Sequence, residues 1–369
     1  MARTDKDVGA KAQALRFCVS AGFIPYLEVD VLSGVELSAS PKRLTDIDVL
    51  GVGLRSDGTV GRTLFDCKSV GGPAFARALW LSGLLTFTGG DEGFMLMGKP
   101  VERAHRLAAR KLKVRIFGAD AFDGYASAAS AEYKILKSYA GDIENWHRVR
   151  ETALKNPAIL EIFDGINYEV PLCADAPKAF RRLIASCRKN KGELNPAKPL
   201  HMATFAEIVL AVSILVAVMI GDLRNIIELA DNEKEFSTAL RYYVWGGHEN
   251  IELLKRMHDL IAANGSPLEQ ESSLIAWPLF VQLVRGMLES PTQVRNACFP
   301  LRDISLRYLA DTNEAADLRV GRLFLAPRAR QFAKRVSSYV AAVLKLPNEF
   351  AERLGQDIDD LVMKAEAKL

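Results

Sequence analysis

Two stretches decide the fold: TDIDVLGV at residues 45–52 and FDCKS at residues 65–69. Both alternate or cluster apolar residues in the manner of strands, and a turn at Ser56, Asp57 and Gly58 lies between them. Residues two apart on a strand share a face, so Asp66 and Lys68 project together. A carboxylate beside an ammonium, flanked by Leu64, Phe65, Leu50 and Val52, is a costly arrangement unless the pair is used. Asp48 joins them only in one register. A two-residue turn at Asp57-Gly58 sets Asp48 opposite Cys67, facing away from Asp66. A three-residue loop, with Gly58 in the left-handed place, sets Asp48 directly opposite Asp66. Local turn chemistry permits both. In the second register the carboxylates repel unless a cation stands between them, and oxygen ligands suit a hard divalent ion.

Around this pair the chain reads as a helix over 5–21, a strand over 23–33, strands over 45–54 and 63–70, a helix from the Gly-Gly-Pro at 71–73, a strand at 93–98, a helix over 100–112 and a strand over 113–119. The order αβββαβαβ defines an α/β or α+β unit with a mixed sheet. After Tyr125 helical periodicity takes over, broken at Asn156-Pro157, Asn195-Pro196, Gly246-Gly247, Gly265-Ser266-Pro267, Ser290-Pro291 and Leu346-Pro347, which implies eight to ten helices. We therefore expect an N-terminal domain over 1–124 and an all-α domain over 125–369.

The pattern of an aspartate, seventeen residues, then Asp-x-Lys, on strands preceded by a helix and a strand, resembles the PD-(D/E)xK nuclease superfamily, the restriction-endonuclease-like fold. The resemblance covers about residues 5–120. It implies a phosphodiesterase in which Asp48 and Asp66 are ligands of Mg²⁺ or Mn²⁺. The backbone carbonyl of Cys67 adds a ligand, and Lys68 is the catalytic lysine beside the attacking water. The family often carries a metal-binding Glu in its first helix. Here the nearest positions are Lys11 and Gln13, and Gln13 is the one neutral candidate for a weak contact. The Pro of the family name is replaced by Ile47.

Composition is consistent with a globular chain: 369 residues, 49% hydrophobic, 25% charged, net charge +3. Five scattered cysteines without a CxxC pair argue against a disulfide framework or structural zinc. No apolar leader opens the chain, so the reducing cytoplasm is the expected compartment. The apolar run Ile208–Ile220 has 13 residues, short of the roughly 20 a bilayer span needs, and is expected to be a buried core helix rather than a membrane segment. Residues 93–99 match GxxxxGK, but Pro100 follows where a Mg²⁺-binding hydroxyl is required and the interior is bulky.

Two runs are basic and free of acids, 103–115 and 178–191. Each reads either as a phosphate track or as a solvated helix face. Arg103, Arg106 and Arg110 fall on one helical stripe, with Lys111 beside them, and are the expected nucleic-acid contacts. The expected activity is a metal-dependent nuclease. DNA is favoured over RNA and internal cleavage over end-trimming, and a restriction or anti-phage role is an analogy. The helical domain is expected to select substrate, oligomerise or bind a protein partner. The alternatives are a nuclease-fold module that binds nucleic acid or protein without cutting, and a structural subunit whose helical part does the work.

Overall fold

The computed structural model describes residues 6–33, 42–55, 59–68, 73–118, 120–228, 232–263 and 276–368. Its first part runs α1 (Val8–Ser20), β1 (Ile24–Leu32), β2 (Arg43–Leu54), β3 (Val60–Lys68), α2 (Ala74–Thr88), β4 (Glu92–Met97), α3 (Arg103–Arg110) and β5 (Val114–Gly118). The strands form one mixed sheet in the order β1-β2-β3-β4-β5. β1, β2 and β3 are antiparallel neighbours, while β3, β4 and β5 are parallel. Parallel neighbours need a crossover, and α2 and α3 provide the two.

The β2–β3 register runs from Leu54↔Val60 to Val49↔Phe65, and Arg55 N donates to Thr59 O at 2.9 Å. This is the register of the three-residue loop. Ser56, Asp57 and Gly58 themselves lie outside the described residues. One sheet face packs on α1 through aromatics: Phe65 and Phe94 stack at 5.0 Å, and Phe17 meets both. The other face packs on α2. Gly93 has no side chain because a Cβ there would stand 2.8 Å from Leu81 Cδ2.

Helix α4 (Ala121–Ala129) contributes Phe122 and Tyr125 to the same aromatic cluster, so the expected boundary at 124/125 falls inside a helix that belongs to the sheet's core. Eleven α-helices follow among the described residues, more than the eight to ten expected. Some starts carry no Gly or Pro signal. The helix Glu314–Leu323, for example, begins where the Asn313 side chain accepts from Ala316 N.

The helical region contains α5 (Ile143–Ala153), α6 (Pro157–Glu169), α7 (Ala176–Asn190) and α8 (Pro199–Leu223). Helix α8 includes the apolar run and is long and apolar enough to cross a membrane, yet nearly all of its apolar stretch is buried within the protein. Its Glu207 is held by Arg302 and Ser305. Arg302 in turn lies 4.4 Å over the ring of Tyr26 on β1 and 5.1 Å over Trp146 on α5. Arg62 on β3 donates to the carbonyls of Pro171 and Cys173 at 2.7 and 2.8 Å. The helices thus pack onto the β1 side of the sheet and share its core.

Candidate functional site

The β2–β3 pairing stops at Val49↔Phe65, although both strands continue. The next inward N–H of β3, that of Cys67, donates to Asp48 Oδ2 at 2.8 Å. In an undisturbed antiparallel ladder it would meet the carbonyl of Ile47. The strands therefore fork here, with a carboxylate set into the fork. One more step of the register sets Asp66 opposite Asp48, on the same face. Lys68 Nζ stands 3.4 Å from Asp48 Oδ2, 3.9 Å from Asp66 Oδ1 and 3.8 Å from Asp7 Oδ2. The structure thus brings Asp48, Asp66 and Lys68 together.

Both carboxylates are nearly inaccessible, 6% exposed at Asp48 and 3% at Asp66, whereas the Lys68 side chain is about one-third exposed. Burial pushes the Asp48 carboxyl above its ordinary value, and Lys68, the Cys67 N–H and Lys11 only partly offset it. For Lys68, burial works against the charge, but Asp48 and Asp66 outweigh it and its pKa rises. Lys68 is therefore an ammonium at neutral pH, a donor and not a base. Burial also raises the Cys67 thiol, with Asp48 and Asp66 adding to the effect, so this residue serves the site through its backbone.

Four further residues belong to the site beyond those expected. Lys11 on α1, 5% exposed, places Nζ 2.8 Å from Glu28 Oε1 and 3.7 Å from Asp48 Oδ1. Glu28 lies on β1 between Leu27↔Val49 and Val29↔Ile47, hence opposite Asp48, with a left-handed φ of 52°. Arg77 on α2 grips Asp66 with two bonds of 2.7 Å and lies 4.3 Å over the exposed ring of Trp80. Asp7 is the fourth. Lys11 had a sequence signal, since it sits on the stripe of Ala14 and Leu15. Arg77 had none, because the helix face that meets Asp66 depends on the crossover. Gln13 stands two residues beyond Lys11, about 200° around the helix, and makes no hydrogen bond to Asp48 or Asp66 among the described residues.

Arg103, Arg106 and Arg110 line an open groove along β5, the edge strand, together with Lys113 and Arg115. The three arginines make no ion pair among the described residues, whereas Arg115 pairs with Glu92 at 3.2 Å. Lys111 follows at the C-cap of α3 and does not line the groove. β5 lies two strands from β3, about 10 Å across the sheet. The second basic run is different. It forms α7, where Arg188 donates to Val343 O at 2.8 Å and Lys189 pairs with Glu161 at 2.9 Å, so it serves packing.

No protein family, curated protein or solved structure matches the chain. Among the described residues no group of three or more His, Cys, Asp or Glu is gathered in a geometry that holds a metal. The donor set at the fork is two carboxylates and a backbone carbonyl. That set fits a hard ion such as Mg²⁺, which takes one or two carboxylates and completes its shell with water and phosphate oxygens. Binding there would require Arg77 to release the two Asp66 oxygens that it holds at 2.7 Å.

Proposed function

We propose that the chain is a metal-dependent phosphodiesterase whose N-terminal part is a restriction-endonuclease-like unit, cutting within DNA. The observation that carries this reading is the fork, where two buried carboxylates and an ammonium converge at the point where the β2–β3 ladder opens. Such a cluster is expensive to bury and is a site signature when its pKa values are perturbed. Asp48, Asp66 and the Cys67 carbonyl would hold Mg²⁺ or Mn²⁺. A bound ion of this kind supplies positive charge to a phosphate oxygen and makes bound water more acidic.

The remaining work falls to side chains. Lys68, kept protonated by its two carboxylate neighbours, orients the attacking water and stabilises charge building on the phosphate. Arg103, Arg106 and Arg110, two strands away, track the nucleic-acid backbone leading to the fork. The helical region, welded to β1 through Arg302, is assigned to substrate selection or contact with a protein partner or a second copy.

A second reading is favoured by one specific observation, the grip of Arg77 on both oxygens of Asp66. A cluster that neutralises its own charge suits a module that binds nucleic acid without cutting it. Incubating the purified protein with single- and double-stranded DNA and RNA in Mg²⁺, Mn²⁺ or EDTA separates the two. Cleavage of DNA abolished by EDTA supports the enzyme. Retained binding with no cleavage in any metal supports the module.

A further inference from the structure

Helix α2 (Ala74–Thr88) is apolar on both of its sides. Ala78, Leu81, Leu84 and Leu85 are buried. On the outer side Ala76, Leu79, Trp80, Gly83, Thr86 and Phe87 are exposed. At about 100° per residue these six fall within roughly 60° on either side of Gly83. None is charged, and the Thr86 hydroxyl is turned back to Ser82 O at 3.1 Å. Leu79 is 50% exposed, Trp80 37% and Phe87 63%. Arg77, the only charged residue of the helix, turns to Asp66. The outer face of a surface helix ordinarily carries charged and polar residues, so an apolar one marks a contact surface.

The chemistry of this face selects its occupant. It offers no cations to follow a nucleic-acid backbone and no charges to pair with those of an acidic or basic partner. A two-fold interface brings the same patch of two copies together, so a patch of one sign would repel itself and an uncharged one does not. Gly83 adds a second argument. Glycine in a helix costs about 1 kcal/mol relative to alanine, and nothing in the single chain requires it here, because no heavy atom lies within 4 Å of the place of its Cβ. It is the low point of the face, with Leu79 and Phe87 one turn to either side. An antiparallel crossing at Gly83 lets two helices approach closely and opposes their dipoles. It sets Leu79 and Trp80 of one copy against Thr86 and Phe87 of the other. The three large side chains expose roughly 300 Å², less than the about 800 Å² per partner of a standard stable interface, so the pair is reversible.

We propose that the outer face of α2 is a self-association surface, on which two copies of the chain pair antiparallel across Gly83 as a weak dimer. The proposal does not depend on metal binding. Arg77 lies 4.3 Å over the ring of Trp80 and holds Asp66, so pairing seats the second copy beside the fork.

Sedimentation velocity on the full chain, without metal or nucleic acid, from low micromolar to several hundred micromolar, tests it. The wild type should pass from monomer to dimer as concentration rises. Phe87→Glu and Gly83→Glu, checked for folding by circular dichroism, should each weaken the dimer by about tenfold or more, because a carboxylate is then buried in an apolar contact. Both positions are exposed, so neither change disturbs the core. Leu154→Glu, at another exposed leucine, should leave the dimer unchanged. A wild type that stays monomeric throughout overturns the proposal. A dimer that survives both α2 changes overturns it too and places the interface elsewhere. A monomeric wild type whose binding to a labelled single-stranded oligonucleotide is lost in Phe87→Glu overturns it in favour of a base-stacking face.

Discussion

The backbone N–H of Cys67 donates to the Asp48 carboxylate at 2.8 Å, in the place where the β2–β3 ladder would otherwise continue. Asp48 is thereby fixed by main chain rather than by a mobile partner, and its carboxylate faces the point where the strands part. A side chain so held loses little freedom on taking up a ligand.

Asp66→Ala should abolish cleavage, since an ion cannot be held by Asp48 alone. Lys68→Ala should lower turnover by about two to three orders of magnitude, the scale of removing one preorganised donor, while Mn²⁺ binding persists because an ammonium is not a ligand. Single-turnover assays on protein free of host nucleases, paired with Mn²⁺ titration, check both. Wild-type cleavage by either variant would refute the assignment.

Arg77 competes with any cation for Asp66. Arg77→Ala should tighten Mn²⁺ binding by about tenfold, on the order of one like charge removed from a half-exposed site. Calorimetry on the two proteins reads this directly. Equal affinities would mean that the guanidinium leaves Asp66 at negligible cost.

The Asp48 carboxyl has a raised pKa because of burial. For a group whose folded pKa exceeds its unfolded value, stability is fully present below the unfolded pKa and is lost as pH rises through the folded one. Asp48→Asn should therefore melt higher than wild type at neutral pH. The advantage should vanish in acid, where the wild-type carboxyl is neutral too. Melting curves across the acid-to-neutral range test the sign, and a variant less stable at neutral pH would contradict it.

Replacing Arg103, Arg106 and Arg110 with Gln should weaken nucleic-acid binding and flatten its salt dependence. The change in log–log slope should reach about three units if each side chain touches a phosphate. Affinity measured over a series of salt concentrations gives the slope. An unchanged slope would assign the β5 groove to a protein partner.

Arg302 and Glu207 are both buried to within 2% exposure. Arg302→Ala leaves Glu207 uncompensated and should cost about 3–5 kcal/mol of stability. Arg302→Met combined with Glu207→Leu should recover most of it. Denaturant midpoints report both, and a double variant as unstable as the single would point instead to the packing of Arg302 on Tyr26.

Read locally, residues 6–118 declare their elements. Period-two alternation in IDVLGV and the 3.6-residue stripe of α1 are properties of short windows, and they yielded the strand and helix order now observed. The shared face of Asp66 and Lys68 was equally legible, because it needs only the pleat of one strand. The helical half was less so. An N-cap such as Asn313 is an ordinary polar residue until its neighbours are known.

Tertiary structure alone decided which of two permitted loops joins β2 to β3. A one-residue slip would have turned either Leu50 and Val52 or Leu64 to the opposite face of the sheet, and only the packing of the sheet penalises that. The same packing decided that Asp48 faces Asp66, that Lys11 rather than Gln13 enters the site, and that Arg77 closes on Asp66. Those pairings join residues 11 to 37 positions apart in the chain. No window of sequence contains both partners together with the surface that orients them, so they become fixed only when the sheet and its helices close around a common core.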